Sequence, residues 1–391
     1  MISVTILGAS SAKPTVNGHP SAQVVNCNEQ YYLVDAGEGV QQQMFRCGIN
    51  PLQLRGIFIS HLHGDHCFGV FPLISTLGLY GKKTPLTIYA PKPFGEILEC
   101  HLQHFDTELP YEVKWEEVDT TKHQVIFENR TLEVWSIPLR HRVPTSGYLF
   151  KEKPQPLNVD KFAIERYNLS IKQIVAAKAG EDIELEDGTI LPNEKITFVA
   201  HPPQSYAYCS DTNRSGAVAK YVAGVDMLYH EATYAADLKR QAKERGHATT
   251  EDAAKTALAA GAKKLLIGHF SSRYKDKEPL LAEARAIFEN TYIATEGESH
   301  SGMGGNRVGR QTDLERRGYN FRLVVLGATR QYCGHCQGHH HFFHSCFVFI
   351  VLIFKGRAAL VTALCPLSFQ QPDRSHHVPT GPILSHIAAS A

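Results

Sequence analysis

The chain has 391 residues, 43% of them hydrophobic and 20% charged, which is enough to bury a large core as one large domain or two ordinary ones. A formal net charge of +1 excludes a globally basic nucleic-acid binder, so any such partner would have to be held by a local cluster of Lys and Arg. Nine cysteines are scattered without a disulfide framework, and Cys27, Cys47, Cys67, Cys100 and Cys209 lie mostly in apolar or strand-like surroundings. The opening MISVTILGAS lacks a basic segment followed by an apolar one. The longest apolar run, Phe347–Phe354, falls far short of the roughly 20 residues of a membrane helix. A reduced, cytoplasmic protein without a membrane span is expected.

In chain order, Ile2, Val4 and Ile6 alternate as in a strand, and 31–35 (YYLVD), 55–60 (RGIFIS), 86–90, 132–137, 205–210, 226–230 and 264–269 read as further strands. Helix-like stretches lie between them, including 67–79, so the pattern to about Gly297 is α/β. Several strands end directly in His or Asp, the position at which α/β sheets carry their sites.

Two segments differ. Lys151–Leu191 is bounded by prolines, has no sheet periodicity, and opens with six Lys or Arg against three acids in Lys151–Lys178 before turning acidic; it reads as an inserted arm. Beyond Gly297 a Gly/Arg cluster, the string CGHCQGHHHFFHSC, an apolar run and a Pro/His/Ser tail show no amphipathic period. Cys333, Cys336, His339 and His344 have ligand-type residues but irregular spacing, and 298–391 reads as an atypical extension, poorly structured or non-native.

The most informative string is Ser60-His61-Leu62-His63-Gly64-Asp65-His66, an H-x-H-x-D-H loop between a strand and a helix. Three imidazoles and a carboxylate cannot be buried together without partners, and a metal ion supplies one. His141, Asp211 and His269 follow three other strands. With them the ligands suffice for two ions, His61, His63, His141 and Asp211 on one and Asp65, His66, Asp211 and His269 on the other. Such a pair suits hydrolysis of a phosphodiester, and imidazole with carboxylate suits Zn²⁺, with Mn²⁺ or Fe as alternatives.

At this point the sequence resembles the tRNase Z (ribonuclease Z) family of the metallo-β-lactamase superfamily. Besides the histidine loop, Asp35-Ala36-Gly37-Glu38-Gly39, the run from His141 to Tyr148, and Ser210-Asp211-Thr212 carry the likeness. His230-Glu231-Ala232-Thr233 and the run Gly268 to Tyr274 are its more specific pieces. The resemblance covers Met1 to about Gly297. It implies an αββα sandwich with an inserted flexible arm, a homodimer, two Zn²⁺ per subunit, and cleavage of the 3′ trailer from precursor tRNA. It also implies roles: Asp65 as general base, His247 held by Glu231 as proton donor, Arg273 on a phosphate, and the arm's Lys151, Lys153, Lys161, Arg166, Lys172 and Lys178 on the tRNA. The chain departs from the family at Pro14–His19, which lacks the usual Lys and Arg, and at the arm tip, which lacks Gly-Pro. Hydrolysis of small phosphodiesters, esters or thioesters, and a ligand-free RNA-binding scaffold, are the alternatives.

Overall fold

The computed structural model describes residues 1–302 except 14, 17, 106 and 107, and beyond them only the backbone of three strands. Two seven-stranded sheets form the first compact unit, residues 1–311. In the first sheet the order is Ser299–Ser301, Ile2–Gly8, Ala22–Cys27, Gln30–Ala36, Leu54–Phe58, Leu86–Ala90, Val113–Glu117. In the second it is Thr291–Ile293, Leu265–Gly268, Met227–Glu231, Ser205–Cys209, Ser146–Glu152, Leu132–Pro138, Val125–Glu128.

Period-two patterning places the layers. Ile2, Val4 and Ile6 face a core shared with Tyr148, Phe150, Tyr206, Tyr208 and Tyr229 of the second sheet. Adjacent residues of one strand part company: Phe58 joins that inner core, while Ile57 joins an outer layer with helices Val40–Arg46, Val70–Leu79 and Pro93–His104. Helices Gly216–Tyr221, Thr250–Ala260 and Glu278–Arg285 cover the second sheet's outer face. The result is the expected αββα sandwich. Both faces of its central strands are covered, which is why those strands read as nearly unbroken apolar runs.

The helix expected over 67–79 is split into Gly64–Cys67 and Val70–Leu79. At the break, Gly69 donates to the Ala36 carbonyl at 2.8 Å, and a Cβ there would fall 2.2 Å from the Gly37 carbonyl. Glycine at 69 therefore lets the histidine loop dock on the Asp35–Gly39 turn.

Three boundaries move. Lys151 lies on the core strand Ser146–Glu152, and Lys153, just past it, pairs with Glu128, so neither belongs to the inserted arm. The insertion closes on itself where Asn158–Val159 pairs with Thr197–Phe198. It contains helices Lys161–Arg166 and Ile171–Lys178 and a core of its own, with Val159, Ala163, Leu169, Ala177, Ile183, Leu191 and Ile196 buried. Asp160 and the Ser170/Gln173 capping box start these helices, local signals that the reading of the segment as a charge run passed over. At the other end Ser299–Ser301 pairs antiparallel with Ile2–Gly8, so the first unit runs past Gly297. Of the cysteines, Cys27, Cys67 and Cys209 are buried as expected, whereas Cys47 is partly buried and Cys100 exposed.

In the second unit, residues 312–391, Val324–Val325, Cys346–Phe354 and Arg357–Cys365 form an antiparallel sheet that contains the apolar run Phe347–Phe354. Cys333, Cys336, His339 and His344 lie outside the described residues. No helix among the described residues is long and apolar enough to cross a membrane.

Candidate metal centre

Both sheets end at one edge, and each delivers part of the site there. The first contributes Asp35 at the end of Gln30–Ala36 and the loop after Leu54–Phe58. The second contributes His141, Asp211, Glu231 and His269, at or just beyond four strand ends. The halves are tied beneath the site: Ser146 N–H donates to the Ser60 carbonyl at 3.0 Å, and Tyr148 Oη–H to the Ile59 carbonyl at 2.5 Å. Asp35, Asp211 and His269 have φ of +54°, +23° and +58°. For non-glycine residues such backbone costs about 1–3 kcal/mol, and here it turns each side chain out of its strand toward the others.

Hydrogen bonds on one side of each imidazole decide what the other side presents. His66 Nδ1–H donates to Asp35 Oδ2 at 2.7 Å, His141 Nδ1–H to the Gly246 carbonyl at 2.8 Å, and His269 Nδ1–H to Thr233 Oγ1 at 2.9 Å. Each bond fixes the tautomer and leaves a lone pair on Nε2. The Nε2 atoms of His66, His141 and His269 are all buried without a hydrogen-bond partner. All three face Asp211, which separates them: its Oδ1 lies 3.2 Å from His269 Nε2 and 3.5 Å from His66 Nε2, its Oδ2 3.5 Å from His61 Nε2 and 3.7 Å from His141 Nε2. Asp65 Oδ2 lies 3.4 Å from His66 Nε2 and 3.7 Å from His269 Nε2. Donor atoms of His61, His63, His141 and Asp211 lie within 4.8 Å of one another, as do those of Asp65, His66 and His269. Buried lone pairs converging on carboxylates leave the donors unsatisfied unless cations lie between them, so this set fits divalent metal ions.

Burial would push the carboxyls of Asp65 and Asp211 up, but the surrounding imidazoles, His269 and His66 foremost, hold both well below the usual carboxylate range. Burial, with neighbouring imidazoles, pushes His61 well down, toward the neutral form that binds metal.

Glu231 sits fully buried behind this set. One oxygen accepts from His247 Nδ1 at 3.0 Å and from Thr212 N–H at 2.7 Å; the other accepts from Thr233 Oγ1, which in turn holds His269. Burial disfavours the charged His247 imidazole, but the Glu231 carboxylate more than offsets it and raises its pKa to about 9. Ligating atoms of His247, Asp211 and His269 also lie within 4.8 Å of one another.

The expected ligands and the Glu231–His247 pair are thus brought together. Arg273 lines the cavity over them, about 650 Å³ in volume. Lys161, Arg166, Lys172 and Lys178 are exposed on the insertion. Sequence reading assigned no role to Asp35, Thr233 and Gly246 or to the cavity's Lys13, Arg142 and Arg245, although Asp35, Thr233 and Arg142 lie in the strings that carry the family likeness. An acid closing the apolar strand 31–35 was a further signal for Asp35; Gly246 carries none, because His141 is 105 residues away in sequence.

An αββα sandwich with two clusters of His and Asp at one edge defines a metallo-β-lactamase-fold hydrolase. Residues 2–144 match the family model described as anti-Pycsar protein Apyc1. The chain is 44% identical over 294 residues to ribonuclease Z of Porphyromonas gingivalis, covering 75% of this chain and 97% of that protein. In fold it is similar to human tRNase Z, short form, with a TM-score of 0.54, 23% identity, and coverage of 76% of this chain and 98% of that one. It is similar also to the metallo-β-lactamase fold protein YhfI of Bacillus subtilis, with a TM-score of 0.52, 19% identity, and 76% and 98% coverage. The chain belongs to the ribonuclease Z family.

Proposed function

We propose that this protein is a zinc-dependent endoribonuclease that removes the 3′ trailer of precursor tRNA just after the discriminator nucleotide, leaving a 3′-hydroxyl on the tRNA and a 5′-phosphate on the trailer. The observation that carries this reading is the set of unpartnered Nε2 atoms around Asp211, in a chain of this family. His61, His63, His141 and Asp211 would hold one cation; Asp65, His66, Asp211 and His269 the second. Two such ions supply the Lewis acidity that activates water near neutral pH and offsets charge on the phosphodiester. The imidazole-rich set favours Zn²⁺, with Mn²⁺ or Fe as compatible alternatives.

The chain's own groups complete the chemistry. Asp65, at the cavity wall, accepts the proton of the attacking water. His247, whose Nδ1 is committed to Glu231, donates from Nε2 to the departing 3′-oxygen. Arg273, held by Ser271 Oγ and Gln241 Oε1, joins Lys13, Arg142 and Arg245 in neutralising backbone phosphates around the cavity. Lys161, Arg166, Lys172 and Lys178 of the insertion serve as a second contact with the tRNA body, and residues 303–391 are dispensable for this chemistry. A homodimer acting in the cytoplasm completes the reading.

Incubation with a 3′-extended precursor tRNA and mapping of the product ends tests it. A single cut after the discriminator is expected. Turnover of small esters with no cut in precursor tRNA would overturn it.

A further inference from the structure

The cavity over the metal centre is lined mainly by polar and charged side chains, and two aromatic rings break that pattern, Phe68 and Tyr234. Tyr234 is buried, and the Arg273 guanidinium carbon lies 5.1 Å from its ring centroid. Phe68 is different: it is 63% exposed. Its ring lies against the Gly64 backbone, so closely that a Cβ on residue 64 would come within 2.5–2.8 Å of three ring carbons. Glycine at 64 thus lets the ring be held at the metal loop while much of it stays open to the cavity. A phenyl left in water forgoes the roughly 1.5–3 kcal/mol that burying it would gain, and single exposed rings are common on surfaces. One seated in a reaction cavity, three residues from Asp65, has a ligand at hand.

We propose that Phe68 is the stacking platform for the nucleobase of the first trailer nucleotide, the one immediately beyond the cut. The proposal rests on the endoribonuclease reading above. In an in-line displacement the attacking and leaving oxygens lie on opposite sides of phosphorus. His247 marks the side of the departing 3′-oxygen, which belongs to the tRNA. Asp65 marks the attacking side, and Phe68 is the cap residue of the helical turn Gly64–Cys67 that carries Asp65. The ring therefore stands away from the departing tRNA 3′-oxygen, and the trailer, whose 5′-oxygen stays bonded to phosphorus in the equatorial plane, is the strand whose first base can turn toward it. Stacking on a phenyl face tolerates any base, which suits trailers of unrelated sequence, and makes no demand on the Lys and Arg that the Pro14–His19 loop lacks.

The test crosses enzyme with substrate. Wild type, Phe68→Ala, Phe68→Leu and Phe68→Trp are assayed on precursor tRNAs that are intact, abasic at the first trailer nucleotide, or abasic at the discriminator. For wild type, removing the trailer base should lower kcat/KM about tenfold, the size of one base–aromatic stack. Phe68→Ala and Phe68→Leu should lose a similar factor on the intact substrate and nothing further on the trailer-abasic one, while Phe68→Trp should keep the wild-type pattern. Metal content and melting temperature of each variant report whether the site still folds. Equal losses for Phe68→Ala on all three substrates, or an interaction only with the discriminator base, would overturn the proposal. A wild-type protein that leaves intact precursor tRNA uncut defeats the endoribonuclease reading itself, a result distinct from either.

Discussion

The Nδ1–H of His141 donates to the main-chain carbonyl of Gly246, 105 residues away in sequence, at 2.8 Å. Gly246 also ends helix Lys239–Arg245 in the left-handed conformation, with φ +80°, and a Cβ there would stand 2.8 Å from that same Nδ1. Gly246→Ala should therefore cost about 1–2 kcal/mol in backbone strain and tilt the His141 ring out of place. Urea unfolding and metal analysis together check this: a lower midpoint with loss of one metal equivalent is expected, and an unchanged protein would show that the contact positions nothing.

Asp35 is fully buried and accepts from His66 Nδ1, Ser60 N–H, Ser60 Oγ and Tyr208 Oη, all between 2.6 and 2.9 Å. Asp35→Asn keeps the shape but replaces an acceptor oxygen with a donor facing donors. Loss of such a support behind a metal-bound His typically weakens metal affinity about 10–100-fold. Competition with a fluorescent zinc chelator measures it; wild-type affinity in the variant would show that His66 needs no fixing.

Asp211 faces both clusters with its two oxygens. Asp211→Ala should abolish RNA cleavage and lower the content of both metals while the far-UV circular dichroism stays native, since the residue lies at the sandwich edge and not in its core. Two retained equivalents with normal cleavage would refute its shared role.

Excising residues 154–203 and joining Lys153 to Gln204 through a short Gly/Ser turn should be tolerated, because Lys151 already pairs with Ser205 across the gap and the insertion carries its own core. Precursor-tRNA affinity should fall and its salt dependence flatten, as fewer phosphates are neutralised, while turnover of a small phosphodiester persists. Parallel loss of both activities would make the insertion structural.

Truncation separates two cut points. Ending the chain after Gly302 keeps Ser299–Ser301 paired with Ile2–Gly8, whereas ending it after Gly297 uncovers that strand's edge. The longer product should melt like the full chain. The shorter one should melt lower, by about 2–4 °C for each kcal/mol of pairing lost. Equal melting temperatures would show that the terminal strand contributes nothing.

Sequence by itself determined the local terms of this protein. Alternating Ile2, Val4 and Ile6 could only be a half-buried strand, and His61, His63, Asp65 and His66 crowd so many donors into one loop that a metal is the partner they need. His141, Asp211 and His269 were legible because each follows an apolar strand. What the sequence could not contain is which groups stand behind them. Gly246 and Phe68 are ordinary residues in ordinary local settings, and Asp35 and Thr233, though they lie in strings that carry the family likeness, show no partner there. Their meaning comes from contacts made when two sheets meet, and such contacts leave no period or spacing in the chain. Lys151 and Lys153 show the same limit from the other side: charge pattern placed them on the inserted arm, but strand pairing with Glu133 and Ser205 placed Lys151 in the core sheet and left Lys153 at its edge. Hydrogen-bond register, a property of two segments at once, decided between them.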